Sequence, residues 1–237
     1  MAGENDKQAD FDAPGWDAID RWVGSNFRGH TPHQFTSQTP YDLDSPSPLA
    51  AITVWPTRSP PGWIYVTYGL SELFEKSSPD PAISGFGFEL TFRIPAEPGF
   101  DPEAAPPVWP LRLLQSLGHH LLSTGGNLDS GHCFGLGAPL VQPGSDGPSE
   151  CILDGLVCIP DPILGKIDGP NGSLLFLRLF GVTSAELDAL AEVELGSLVA
   201  CIAELESAAV TDASRASFTD DPELGKIIRR YRLGIEL

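Results

Sequence analysis

The side chains that could do acid–base or nucleophilic chemistry cluster around residues 69–89. Glu72 and Glu89 could act as a general acid and base, or cleave a glycoside, if their strands lie side by side. The sequence does not give their separation, and hydrogen bonding of both carboxylates to loop backbone is the favoured interpretation. Ser71 lies in Gly69-Leu-Ser71-Glu-Leu73, which lacks the closing glycine of a nucleophile elbow. We therefore interpret Ser71 as a turn or cap residue.

A second group of candidate side chains is His132 with Cys133, together with His119 and His120. A Cys/His nucleophile needs the thiolate and the imidazole to converge, whereas neighbours on an extended segment point to opposite faces. A packed cysteine is therefore the favoured interpretation of Cys133. Adjacent helical residues diverge by about 100°, so His119 and His120 cannot chelate one ion. We predict no metal site and no cofactor.

The totals favour one soluble domain with an acidic surface. The chain has 237 residues, 25 glycines, 23 prolines and a formal net charge of -18. This charge argues against nucleic acid and anionic membranes as partners and favours a basic protein, although solubility alone would also explain it. No stretch is long and apolar enough for a membrane helix, and the N-terminus lacks a secretory signal, so we expect a cytoplasmic protein. The sequence makes no prediction about the oligomeric state.

The apolar pattern predicts an acidic, flexible tail over residues 1–14 and a single domain over residues 15–237. Helices are expected at about 15–27, from Pro110 onward, from the capping box Thr183-Ser-Ala-Glu186 toward Val193, and after Asp221-Pro222. Residues 30–48 and 160–172 are expected to be loops and turns. Strands are expected at residues 49–55, 63–68, 86–94, 150–159 and 173–180, with a last short strand at 208–210.

Four motifs carry a resemblance to a known family. They are Tyr68-Gly-Leu-Ser-Glu-Leu73, Ser84-Gly-Phe-Gly-Phe-Glu-Leu-Thr-Phe-Arg93, Pro106-Pro-Val-Trp-Pro110 and Gly181-Val-Thr-Ser-Ala-Glu-Leu187. These segments resemble the Suppressor of fused domain family. The resemblance implies an α/β fold, a central mixed β-sheet with helices packed around it, and a binding role rather than catalysis. Animal members restrain Gli-type transcription factors in a cleft between this domain and a C-terminal one.

The resemblance also bears on the partner. The animal domain carries a partner-binding aspartate in a Ser-Gly-Asp-His segment, whereas this chain has Ser130-Gly-His132-Cys133. The Gly-His form is similar to bacterial single-domain relatives that are regarded as immunity proteins. It implies a non-enzymatic immunity protein that neutralises a basic toxin domain by direct binding. The alternatives are a regulatory adaptor that captures an extended peptide at a sheet edge, and a hydrolase.

Five residues are predicted to form the contact surface for a protein partner: Asp129, His132, His120, Tyr68 and Glu72. Asp129 and His132 lie in a glycine-rich loop beside a helix edge, and such loops commonly carry recognition. His120 lies at the rim of the apolar stripe of that helix. For Tyr68 and Glu72, the alternative is that they hold the fold together.

Overall fold

One mixed β-sheet runs through the molecule, and the computed structural model describes residues 12–206 and 210–234. Its eight strands are β1 (His33–Thr36), β2 (Ala51–Arg58), β3 (Pro61–Tyr68), β4 (Ile83–Pro95), β5 (Cys133–Gly135), β6 (Gly155–Pro160), β7 (Lys166–Gly169) and β8 (Gly172–Val182). The strand order is β1-β2-β3-β4-β8-β6-β5, and β7 pairs with β8 beside β6. The predicted mixed sheet with helices around it is confirmed.

The strands β4 and β8 form the centre of the sheet. They pair in parallel, while all other pairs are antiparallel. Both are covered on two faces, which explains why residues 88–94 of β4 and 176–182 of β8 are all buried. Along β4, Phe88 and Leu90 enter the core on one face, whereas Glu89 and Thr91 alternate with them. This period of two gives the sheet two distinct faces.

Five helices lie on these faces: α1 (Pro14–Asn26), α2 (Trp109–Thr124), α3 (Ser184–Leu190), α4 (Leu195–Leu205) and α5 (Pro222–Arg232). The first face is covered by α2, whose buried leucines join the core cluster of Phe88 and Leu90. The second face is covered by α1 over one part and by α3, α4 and α5 over the other. The order of elements thus places the C-terminal end of α2 close to β5 and β6.

Local sequence signals set several helix ends. Thr183 accepts a hydrogen bond from the backbone of Glu186, and the Glu186 carboxylate accepts one from the Thr183 N–H, so the predicted capping box is confirmed. The Asp221 carboxylate accepts from the first-turn amides of α5. Proline occupies the first turn of α1, α2 and α5, where no intrahelical N–H is needed.

A buried ion pair lies on the helix-rich second face. Arg178 and Asp161 are fully buried and paired, and the Thr91 hydroxyl donates to the same carboxylate at 2.6 Å. Burial would raise the pKa of Asp161, but the Arg178 charge and the hydrogen bonds hold it below its usual value. The pair joins β8, which carries Arg178, to the residue that follows β6. Removing one partner would leave a buried charge uncompensated.

Several predicted boundaries are wrong. The expected loop over residues 30–48 contains β1, and the expected turns over 160–172 contain β7. The strand predicted at 150–159 begins only at Gly155, because residues 151–153 form a loop that buries Cys151 and Leu153 instead of pairing as a strand. The helix predicted from Thr183 toward Val193 ends at Leu190. Residues 1–11 of the predicted tail, and residues 208 and 209 of the predicted last strand, lie outside the described residues.

Within the described ranges, no helix is long and apolar enough to cross a membrane.

Candidate functional site at the β5 edge

The site begins where α2 ends. Gly125 adopts a left-handed conformation (φ 65°), and its N–H donates to the Leu121 carbonyl at 2.9 Å, which closes the last turn. Leu117 and Leu121 point into the core on the inner side of this helix, and His120 is exposed on the outer side. The chain then crosses from the end of α2 to β5 through the glycine-rich loop that carries the predicted contact residues.

That loop is fixed by hydrogen bonds to itself and to β6. The Asp129 N–H donates to His132 Nδ1 at 3.2 Å, and the His132 N–H donates to the Asp129 carbonyl at 3.2 Å. The Gly131 N–H donates to the carbonyl of Cys158, and the Cys158 N–H donates to the carbonyl of His132. Gly131 has φ 88°, and a Cβ there would lie 1.6 Å from Leu195 Cδ1. Only glycine fits this position, so the loop has one conformation built into its sequence.

The strand β5 forms the end of the sheet and has a free side. It pairs with β6 in the register Cys133↔Val157, Phe134↔Leu156 and Gly135↔Gly155. The flanking bonds, Cys158 N–H to His132 O and Leu136 N–H to Asp154 O, place every second residue in a hydrogen-bonded pair. Phe134 therefore uses its backbone groups toward β6. The N–H and C=O groups of Cys133 and Gly135 point away, toward the open edge.

A cavity of about 520 Å³ lies beside this edge, between β5, the loop and the end of α2. Its apolar walls are Leu117, Leu121, Leu128 and Phe134. His120 and His132 lie at the same cavity, so the structure brings together two of the predicted contact residues. Asp129, the third, holds His132 through its backbone and is itself exposed. The cavity offers apolar surface with a polar rim, as a site for a peptide side chain does.

The opposite side of the edge carries apolar surface that the sequence pattern did not reveal. Leu195 and Val199 lie on α4 and are 60% and 37% exposed. Leu195 lies over Gly131, and Leu187 of α3 lies 3.9 Å from where a Cβ on Gly135 would be. Both sides of the β5 edge therefore present apolar side chains.

The thiol beside this edge is held in its protonated form. Burial raises the pKa of Cys133, and its Sγ donates to the Gly131 carbonyl at 3.5 Å, so the protonated form is favoured. The predicted packed cysteine agrees with this environment. Among residues 12–206 and 210–234, no three histidine, cysteine, aspartate or glutamate side chains are grouped to hold a metal ion.

Tyr68 does not belong to a contact surface, which corrects the prediction from the sequence. Its ring is fully buried, and its hydroxyl donates to Asp20 Oδ1 at 2.7 Å, which ties β3 to α1. Burial, followed by the Asp20 charge, raises the pKa of Tyr68. The alternative interpretation, that this tyrosine holds the fold together, describes its position.

Glu72 likewise serves the loop after β3. Its carboxylate accepts from the backbone N–H groups of Ser77 and Ser78 and from the Lys76 ammonium. Burial would raise the pKa of Glu72, but these hydrogen bonds outweigh it and hold the pKa well below the usual range. These contacts show that Glu72 organises the loop after β3. It does not line the cavity at the β5 edge.

Glu89 is the other half of the suspected carboxylate pair, and it is fully buried. Its Oε1 accepts from the N–H groups of Gly69, Leu70 and Ser71 and from the Ser71 hydroxyl. Burial raises the pKa of Glu89 to about 7, against these bonds, which favour the ionised form. Glu72 and Glu89 thus each bind their own set of loop donors, as the sequence interpretation favoured.

Comparisons with known proteins identify the relatives of this chain. The family model described as Suppressor of fused protein matches residues 45–216. The human Suppressor of fused homolog is 31% identical over 167 residues, which cover 66% of this chain and 33% of the human protein, and the mouse protein gives the same values. This chain thus spans about a third of the length of these curated relatives.

Solved structures extend the comparison to the fold. A chain from the structure described as the Sufu–Fu complex superposes with a TM-score of 0.78 and 27% identity, covering 92% of this chain and 98% of that one. Drosophila Suppressor of Fused gives a TM-score of 0.76 and 27% identity over 92% of this chain and 54% of that one. A Neisseria gonorrhoeae homolog described as putative has 16% identity and a TM-score of 0.57, over 86% of this chain and 96% of that one, which supports the fold alone.

Proposed function

Because this chain belongs to the Suppressor of fused family, we propose that it is a non-enzymatic binding module that captures an extended segment of a protein partner. The segment pairs with the free side of β5 and continues the sheet. The observation that carries this proposal is the outward direction of the Cys133 and Gly135 backbone groups at the end of the sheet. The adaptor interpretation of the sequence is the one this edge favours.

The side chains around β5 support a strand as the occupant. Successive side chains of an added strand point to opposite faces. One set would lie over the cavity next to Phe134 and Leu128, and the other set would meet Leu195. The partner segment therefore carries apolar side chains at alternate positions. His120 and His132 border the cavity and provide polar contacts at its rim.

A relative solved in the Sufu–Fu complex supports a protein as the kind of partner. Among the side chains that suggested catalysis, Ser71 donates its hydroxyl to Glu89 and Cys133 is kept as a thiol. These arrangements favour a binding role over a hydrolase. The β5 edge has unused backbone hydrogen-bonding capacity and lies beside an apolar cavity, which favours it as the binding surface.

Gly135 allows a sharp test. Gly135→Pro removes one outward N–H and places a ring on the free edge, where proline is tolerated because β6 does not use that N–H. Gly135→Ala keeps the N–H, and its Cβ would have an ordinary 3.9 Å contact with Leu187. Segments selected on the unmodified protein from a peptide display library, and then titrated calorimetrically, are the probes. We expect Gly135→Pro to weaken them at least about tenfold and Gly135→Ala to bind them normally.

The proposal fails if no segment is enriched on the unmodified protein. It also fails if the enriched segments bind the proline and alanine variants equally well. Circular dichroism and thermal unfolding of both variants establish that each is folded before the titration.

Toxin neutralisation is a second candidate role, and the net charge of -18 is the observation that favours it. An acidic inhibitor is steered toward a basic active site, which speeds association. The relatives named above are not described as immunity proteins, so this role stays a prediction. Co-expression with a toxin encoded beside the gene tests it: continued toxicity and no complex on gel filtration would exclude the pair.

A further inference from the structure

A second large groove lies at the other end of α2. Its volume is about 730 Å³, and it is bounded by the start of β3, the end of β4, the proline-rich connection over residues 95–107 and the first turn of α2. Neither the family resemblance nor the β5 edge accounts for it. The groove lies on the surface of the domain, next to residues 211–214.

Aromatic rings form the floor of this groove. Trp63 and Phe100 meet edge to face, with ring centroids 5.2 Å apart, and Trp109 packs on Phe92 at 5.6 Å. Trp63 and Trp109 are only 4% and 5% exposed. Nevertheless, their indole N–H groups donate to no residue of the described chain. Neither indole nitrogen is among the fully buried atoms that lack a partner, so both reach solvent and are available to donate to an acceptor that binds in the groove.

The rim of the groove is acidic. Among the described residues, the lining includes the four carboxylates of Glu97, Asp101, Asp146 and Asp212, and no lysine or arginine. Glu97, Asp101 and Asp146 are exposed. Because all of these charges have one sign, the groove favours a cationic occupant and repels an acidic one.

From these features we propose that the groove binds an extended, proline-rich segment of a protein partner that carries arginine or lysine side chains. A polyproline II segment has no internal hydrogen bonds, so its carbonyls are available to the Trp63 and Trp109 N–H groups. Its proline rings pack against aromatic walls, as in other grooves that recognise such segments. Its cationic side chains meet the Glu97 and Asp101 carboxylates.

This groove is separate from the β5 edge. Trp109 opens α2, and Leu121 lies beside the cavity at its far end. A rise of 1.5 Å per residue places the two ends roughly 18 Å apart. The inference does not depend on strand capture at β5, and one partner with two segments, or two partners, can occupy the two surfaces together.

A charge-matched pair of double variants tests the groove. Glu97→Gln with Asp101→Asn removes two carboxylates from the rim, and Asp168→Asn with Asp188→Asn removes two exposed carboxylates elsewhere. The probe is a fluorescein-labelled synthetic peptide, Arg-Pro-Leu-Pro-Arg-Pro-Leu-Pro-Arg, followed by fluorescence anisotropy at low salt. We expect the rim variant to bind about fivefold more weakly and the control variant to change by less than about twofold.

Two further measurements complete the test. The same peptide with glutamate in place of arginine is expected not to bind. Trp63→Phe keeps an aromatic ring but removes one N–H donor, and we expect it to weaken the probe by about fivefold. Gly135→Pro is expected to leave probe binding unchanged, which separates this groove from the β5 edge.

The inference is overturned if the arginine peptide shows no saturable binding at millimolar concentration. Equal weakening by both double variants would also overturn it, since the effect would then be one of net charge. Loss of probe binding in Gly135→Pro would place the peptide at β5 instead. Because the rim variant changes only exposed side chains, it remains informative if Trp63→Phe is destabilised.

Discussion

Replacing Glu89 by glutamine is expected to change how the stability of the domain depends on pH. Glu89 is fully buried, and its Oε1 alone accepts four hydrogen bonds from the turn at residues 69–71. Burial raises the pKa of Glu89 from 4.5 to about 7. Glutamine has nearly the same shape and keeps an acceptor for these donors, but it does not titrate.

The sign follows from the raised pKa. The folded protein binds the Glu89 proton more tightly than the unfolded chain does, so the stabilisation is complete below about pH 4.5 and is lost as pH rises through about 7. This difference between the folded and unfolded pKa of Glu89 corresponds to about 3 kcal/mol of folding stability. Asp161 and Glu186 have lowered pKa values, so their contributions are present above about pH 4 and are lost as pH falls. Their effect on stability therefore changes at lower pH than the effect of Glu89 does.

Urea unfolding followed by tryptophan fluorescence, from about pH 5 to about pH 8, measures this effect. We expect the free energy of unfolding of the unmodified protein to fall by about 3 kcal/mol across that range, and Glu89→Gln to be nearly flat. Glu72→Gln is the control, since the lowered pKa of Glu72 places its titration below the range. A flat profile for the unmodified protein, or equal slopes for it and Glu89→Gln, would refute the assigned role of burial.

Two further changes test the loop before β5 and the end of the chain. Gly131→Ala places a Cβ at φ 88°, where it also displaces the exposed Leu195 side chain, and is expected to cost about 1–3 kcal/mol in urea unfolding and to weaken capture at β5. Adding Leu195→Ala removes the side-chain contact but not the backbone strain, so it is expected to restore only part of the loss. Unchanged stability in the single variant would contradict the geometry. Asp221→Ala removes the cap of α5 and is expected to lower the free energy of unfolding by about 1 kcal/mol. Asp220→Ala makes the same change in charge and is expected to have little effect. If the two variants lower the stability equally in thermal and urea unfolding, the cap is not the cause.

The parts of the fold that were predicted correctly carry strong local signals. The Thr183–Glu186 capping box and the Asp221-Pro222 start each specify a helix end through a few neighbouring residues. The alternation of Phe88 and Glu89 marks a strand, because its period matches the pleat. The missed strands β1, β5 and β7 have three or four residues and only pair because a longer strand lies beside them. No window of their own sequence contains that neighbour.

The same limit applies to the site. The glycine-rich loop indicated Asp129 and His132, and the helix edge indicated His120, but strand order alone makes β5 the end of the sheet. Tyr68 was assigned to the surface because it lies in a family motif, whereas its ring is buried and its hydroxyl donates to Asp20 of α1. The exposure of Leu195 could not be predicted either, because helical periodicity identifies an apolar stripe without telling how much of that stripe is covered.

Hydrogen exchange at the β5 edge tests the central claim most directly. With a captured segment at saturation, the outward amides of Cys133 and Gly135 are expected to exchange at least about tenfold more slowly, because each gains a hydrogen bond. The Phe134 amide, which already points to β6, is expected to change little. Unchanged exchange at Cys133 and Gly135 in a saturated complex would contradict capture of a strand at this edge.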